Sequence, residues 1–135
     1  METRAIYFNS TYVGYATKAT MKDEIATEKT PTFTETLVDG DPNPAVTVSI
    51  EALRAGTIQQ YIDLETLIKK AKTTPIDLMI YSIDKAKDGV LEVKEYAYNC
   101  LISSDEIEVD PVKRTVMKIE LTGSSRRKKI NDQWI

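Results

Sequence analysis

Short runs in which apolar and polar residues alternate, separated by turn sequences, recur along most of this chain. The clearest is Val46, Val48 and Ile50, interleaved with Thr47, Ser49 and Glu51. A period of two places one set on each side of a strand, so this segment predicts a half-buried β-strand. Sixteen threonines in the chain favour strands over helices throughout. A chain patterned this way is constrained to pair its strands around one buried face.

Other segments follow the same logic. Residues 4–8 and 11–15 are aromatic and β-branched, and Asn9-Ser10 between them predicts a hairpin with a two-residue turn. Residues 17–27 alternate loosely, with Ala19, Met21 and Ile25 on one side; residues 32–38 place Phe33 and Leu37 on one side and Thr34 and Thr36 on the other. Asp39-Gly40-Asp41-Pro42-Asn43-Pro44 is a strong turn signal, since two prolines, a glycine and three Asx residues cannot continue a strand. Residues 76–83 predict a further strand, 84–89 a polar hairpin loop, and 90–102 a long strand. Asp105–Val109 continues that strand or starts another. Asp110-Pro111 turns, and Thr115–Leu121 returns, with Val116, Lys118 and Glu120 opposite Met117, Ile119 and Leu121.

One segment carries a different period. Leu64, Leu67, Ile68 and Ala71 recur at three- and four-residue spacing, which marks one apolar helical face. Asp63 suits the N-cap, Glu65 the first turn, and Lys69, Lys70 and Lys72 the last. Thr73-Thr74-Pro75 stops the helix. Residues 57–62 either extend it or lead into it. The expected architecture is mainly β: an antiparallel sandwich or barrel, with the helix, over about residues 63–72, covering an open flank. At 135 residues this is a single domain, with a long polar loop region over about 14–44 and a basic C-terminal tail, 123–135.

Composition removes most catalytic chemistry. The chain has no histidine and one cysteine, so His-based triads, disulfide frameworks and Cys-rich zinc sites are excluded. Five scattered glycines build neither a phosphate loop nor a dinucleotide fingerprint. Cys100, inside a predicted strand with Tyr98 and Ile102 on its side, reads as a small buried hydrophobe. The acidic run Asp105, Glu106, Glu108 and Asp110 lacks the ligand spacing and glycine of a calcium loop and reads as a solvated face. No catalytic, cofactor or metal residue is therefore assigned.

Charge is more informative than chemistry. Residues 111–135 carry seven basic and two acidic side chains, a net +5, while residues 1–110 carry eleven and nineteen, a net −8. The basic excess peaks at Arg126-Arg127-Lys128-Lys129, which is either a solvated tail or a basic surface that meets an acidic one on another copy. Aromatics cluster near the N-terminus (Tyr7, Phe8, Tyr12, Tyr15) and bases near the C-terminus, and sequence distance alone does not say whether they meet. Trp134 is expected to pack on its own or an adjacent subunit. Met1-Glu2-Thr3-Arg4 does not open a secretory signal, and no apolar run is long enough to span a bilayer, so the expected compartment is a reducing cytoplasm or a particle assembled there.

A strand, the helix start Asp-Leu-Glu-Thr-Leu-Ile (63–68), then Thr-Pro-Ile-Asp-Leu-Met-Ile-Tyr (74–81), Tyr-Asn-Cys-Leu-Ile-Ser-Ser (98–104), Glu-Ile-Glu-Val-Asp (106–110) and a returning strand ending at Gly123 follow in an order that resembles the tail tube proteins of bacteriophages. These are related in fold to the inner tubes of contractile injection systems and of type VI secretion. The resemblance covers about residues 45–123. It implies a β-sandwich or split barrel flanked by one helix, with six copies joined edge to edge into a ring. Rings would stack into a virion tail tube that conducts DNA without specific binding. It further implies assembly in the host cytoplasm, contacts with sheath, terminator and baseplate proteins, no cofactor and no enzymatic activity. The implied subunit-interface residues are Phe33, Leu37, Asp39 and Asp41 in the loop region, and Arg126, Arg127, Lys128, Lys129 and Trp134 in the tail. Three alternatives remain open from sequence: a terminator, initiator or baseplate component on a related fold; a small monomeric ligand-binding β-barrel; and an enzyme using paired carboxylates.

Overall fold

The structure, a computed structural model, describes residues 4–23, 46–104 and 107–135. Expectations for Ile25, residues 32–38, the turn at 39–44 and Asp105-Glu106 lie outside the described residues.

Among the described residues, ten strands and one helix follow in the order β1 (Arg4–Phe8), β2 (Thr11–Ala16), β3 (Lys18–Asp23), β4 (Val46–Arg54), α1 (Ile58–Lys70), β5 (Ile76–Ala86), β6 (Gly89–Ile102), β7 (Val109–Asp110), β8 (Thr115–Gly123), β9 (Ser125–Ile130) and β10 (Gln133–Trp134). The pairings run β6-β5-β1-β2-β4-β8, and β8 returns to pair with β6 through Leu101↔Thr122 and Ile102↔Leu121, closing a six-stranded antiparallel barrel. This is the mainly β architecture that the alternation predicts, with one helix among the described residues. Strands β3, β7, β9 and β10 are additions: among the described residues β3 pairs only β4 and β7 only β8, and β9 carries β10 out from β6.

The barrel interior is filled by side chains rather than space. Ile6, Phe8, Val13, Val48, Ile50 and Leu121 are fully buried, and no polar or charged residue joins them among the described residues. Burying a large aliphatic or aromatic side chain stabilises by roughly 1.5–3 kcal/mol, which makes this interior the main source of stability.

The β1–β2 hairpin turns at Asn9-Ser10 as expected, with φ of 52° and 69°. Both positive angles fit the turn geometry that matches strand twist, and Asn tolerates them. Where β2 crosses β4, Gly14 has φ 144° and its Cα lies so close that a Cβ would collide with the Arg54 carbonyl. Only glycine fits there.

Several boundaries differ from expectation. The helix begins at Ile58, not near residue 63, and Thr57 rather than Asp63 is its N-cap. The Thr57 hydroxyl accepts from the Gln60 N–H at 3.1 Å, and the Gln60 side chain accepts from the Gly56 N–H at 2.9 Å. This T-x-x-Q exchange is a variant of the capping box, which satisfies the first amides better than a single carboxylate further along. Asp63 instead accepts from Gln59 within the helix, Glu65 lies mid-helix, and Lys72 falls beyond the end. Leu64 and Ile68 are buried as the periodicity requires.

The loop at 84–89 contracts to a turn at Lys87-Asp88, because Asp84, Lys85 and Ala86 continue pairing with Leu91, Val90 and Gly89. In β8, Val116 is buried and Met117 is 45% exposed, the reverse of their expected sides. The cause sits opposite: Ala52 on β4 has φ 56°, which resets the alternation. Ile50 and Leu53 are therefore buried three apart on β4, facing Ile119 and Val116 on β8. Asn99, φ 56°, does the same to β6, leaving Ala97 and Cys100 both buried. Of the expected loop region, residues 14–16 belong to β2 and 18–23 form β3. The expected C-terminal tail is a β-hairpin, β9–β10, turned at Asn131-Asp132.

Candidate interaction surface

The long strand β6 positions the surface. Its last part closes the barrel, while Val93–Tyr98 pair with β9. Because β9 is a strand, the basic run Arg126–Lys129 does not act as one patch; alternate residues fall on opposite faces.

On the first face, Arg126 reaches Glu95 at 3.3 Å and Asp23, the last residue of β3, at 3.4 Å; Lys128 lies 3.8 Å from Glu95. Arg126 and Glu95 are 22% and 18% exposed, so this is a partly shielded cluster that ties the C-terminal hairpin to β3. It borders a cleft of about 380 Å³ lined by Arg4, Met21, Ile83, Leu91, Glu95 and Lys128 among others.

On the second face, Trp134 folds back over β9. The Arg127 guanidinium lies 3.8 Å from its ring centroid, the Lys129 ammonium 5.1 Å, and the Tyr96 ring 5.5 Å. Tyr96 and Tyr98 run parallel at 6.3 Å. Such cation–aromatic contacts are worth about 0.5–1 kcal/mol each at exposed sites, enough to order a two-strand hairpin end. Trp134 nonetheless keeps 46% of its surface exposed.

This second face continues across the sheet. Register places Tyr12 beside Tyr7, Tyr7 beside Met79, Met79 beside Tyr96, and Tyr96 beside Arg127, a row crossing five strands. Tyr7 and Tyr12 touch at 5.4 Å, and burial raises the Tyr12 phenol above its ordinary value of 10.0, with Tyr7 and Tyr15 adding to the effect. A hydrogen bond from Tyr81 to Glu92, 2.8 Å, is the main reason the Tyr81 phenol is raised. Beside the row, Ala5, Tyr12, Tyr15, Tyr81 and Ile83 line a shallow depression of about 300 Å³. Tyr7 and Tyr12 near the N-terminus and Arg127 and Lys129 near the C-terminus, far apart in sequence, therefore share one sheet face, while Phe8 is buried in the barrel.

Of the nine residues implied as interface candidates, Arg127, Lys129 and Trp134 come together on this face. Arg126 and Lys128 lie on the other, and Phe33, Leu37, Asp39 and Asp41 lie outside the described residues. Tyr7, Tyr12, Tyr96 and Tyr98 were not among the candidates; the i, i+2 spacing of Tyr96 and Tyr98 was the available signal. Trp134 packs within its own chain.

Cys100 is fully buried, and burial pushes its thiol up from 9.0 to about 12, with Asp77 adding to the shift, so at neutral pH it is no thiolate nucleophile. Asp110 accepts from the Lys113 N–H in the turn that follows it. Among the described residues no group of three or more Cys, Asp or Glu is placed to hold a metal ion, and no helix is long and apolar enough to cross a membrane.

Comparison with known proteins places the fold. No family model and no curated protein matches this chain in sequence. Among solved structures, the chain is similar to Hcp protein, with a TM-score of 0.58 and 9% identity over 100% of this chain and 95% of that one. At this identity the likeness is to the fold alone.

Proposed function

We propose that this chain is a structural protein that self-assembles into stacked rings forming a tube, of the kind that serves as a bacteriophage tail tube. The single observation that carries the reading is the end-to-end likeness in fold to Hcp, a tube protein of type VI secretion. That fold is the one the tail-tube resemblance implies from sequence.

The strand arrangement supports it. A closed barrel needs no partner, but β3 and β10 each pair on one edge only among the described residues. Unpaired edges invite pairing with another chain, and a closed ring of copies uses them without open-ended aggregation. The filled barrel interior argues against the ligand-binding barrel, which needs an internal cavity.

In this reading six copies form a ring, and stacked rings conduct double-stranded DNA during ejection from a virion assembled in the host cytoplasm. A net charge of −3 suits a conduit, since each lysine or arginine that neutralises a phosphate adds affinity and slows passage. Sheath, terminator and baseplate proteins are its partners, and Arg127, Lys129 and Trp134 lie at a contact between copies.

Negative-stain electron microscopy of the purified chain over a concentration series tests the reading. Tubes that lengthen with concentration support it. Single rings that never stack would make it a terminator, initiator or baseplate component instead.

A further inference from the structure

Two features of the described chain keep apolar or aromatic surface accessible. One is the sheet face that carries Tyr7, Tyr12, Met79, Tyr96, Arg127 and Trp134. Its composition, rich in Tyr, Trp, Met and Arg, is that of the energetic centre of protein–protein contacts rather than of an ordinary solvated surface. The other is on α1. Ile58 and Ile62, one turn apart, are 72% and 50% exposed, and Glu65 and Thr66 continue the same side of the helix. The helix buries Leu64 and Ile68 on its other side, and this second apolar stripe is left exposed.

The two features are complementary. The sheet face is aromatic, and its margin carries the bases Lys94, opposite Lys129 in register, and Arg127, with one acid, Glu92, already held by the Tyr81 hydroxyl. The helix stripe is aliphatic with acids at its margin, Asp63 and Glu65. They share no residue, so joining them takes two copies and leaves the pair with one free face and one free stripe. Such a head-to-tail contact closes into a ring or propagates as a stack.

We infer that the aromatic face of β2-β1-β5-β6-β9-β10 is a docking surface for the Ile58–Ile62 stripe of α1 on a second copy of this chain. The aromatic rings receive the two isoleucines, and Lys94, Arg127 and Lys129 meet Asp63 and Glu65, which sets orientation more than affinity. The inference rests on the self-assembly reading and specifies which surfaces meet.

Cysteine cross-linking tests it directly. Cys100 is buried with a raised thiol, so the background is silent. Ile62→Cys is combined in turn with Tyr7→Cys, Tyr96→Cys and Trp134→Cys, each double variant is allowed to assemble, and a short bismaleimide is added. Ile62 is exposed, so its replacement leaves the fold intact, and Trp134→Cys gives up only the ring contacts at the β9–β10 hairpin end. The expected result is a ladder of covalent multimers from at least one double variant, and no ladder from any single variant. Assembled particles without a ladder overturn the inference while leaving the tube reading standing. Covalent dimers from a sheet-face single variant overturn it by showing the face meeting itself. Binding of labelled oligothymidine that is lost in Tyr96→Ala overturns it in favour of single-stranded nucleic acid as the occupant. If the unaltered chain never associates, the tube reading itself fails.

Discussion

Asn131 clasps Glu92 with two hydrogen bonds: its side-chain oxygen accepts from the Glu92 N–H at 2.8 Å, and its own N–H donates to the Glu92 carbonyl at 2.9 Å. Asn9 holds Asp77 in the same way, at 2.9 and 2.8 Å. Each asparagine opens a two-residue turn with positive φ at both positions, and each pins the next strand over. The C-terminal hairpin is thus fastened to β6 by the device that fastens the β1–β2 hairpin to β5.

Replacing Asn131 with alanine removes one clasp bond and puts a less tolerant residue at φ 48°. A net hydrogen bond and the left-handed cost together predict about 1–2 kcal/mol of local destabilisation. Amide hydrogen exchange is expected to rise in Ser125–Trp134 while the buried amides of β4 and β5 keep their protection.

Ser10, φ 69°, is a non-glycine residue where glycine is unstrained. Ser10→Gly makes the Asn-Gly pair preferred for this turn, at some cost in unfolded-chain entropy. The expected gain is about 0.5 kcal/mol, read as a small rise in the thermal midpoint; a fall contradicts the turn geometry.

Cys100 and Tyr61 predict the alkaline behaviour. Burial pushes both up to about 12, from 9.0 and 10.0, and Glu65 and Asp110 add to the Tyr61 shift. Both are neutral below their unfolded values, so folding loses nothing there. As pH rises above about 9 the unfolded chain ionises first, and stability falls until the folded values are passed. Denaturant midpoints between pH 7 and 11 check this. Native Cys100 is expected not to react with a thiol reagent at pH 8 and to react fully once unfolded.

The basic run separates into two experiments. Arg126→Glu opposes Glu95 and Asp23 within its own chain, so it is expected to destabilise the fold by about 1–2 kcal/mol. Arg127→Glu with Lys129→Glu faces the aromatic side and removes both cation contacts with Trp134, so it is expected to loosen the β9–β10 hairpin end, leave the barrel intact and weaken association. Sedimentation and thermal melting, taken together, distinguish the two.

Most strands were legible because one face of each is buried, and burial writes period two into the sequence. What failed did so for local reasons. The helix start was misplaced because a carboxylate at Asp63 outweighed the Thr57-x-x-Gln60 signal. Val116 and Met117 exchanged sides because Ala52, an ordinary residue in strand pattern, adopts a positive φ that only the fold imposes. The terminal hairpin was hidden by its charge: Arg126 to Lys129 alternate in space but not in type, so period two could not be seen. Asn131-Asp132 repeats the turn chemistry of Asn9-Ser10 and was the usable clue. The shared aromatic face needed strand order, which residue patterns do not carry.

Analytical ultracentrifugation of the unaltered chain across a wide concentration range tests the central claim most directly. Self-association into particles that grow in length with concentration is the predicted result. A lone 15.2 kDa species at every concentration would contradict it.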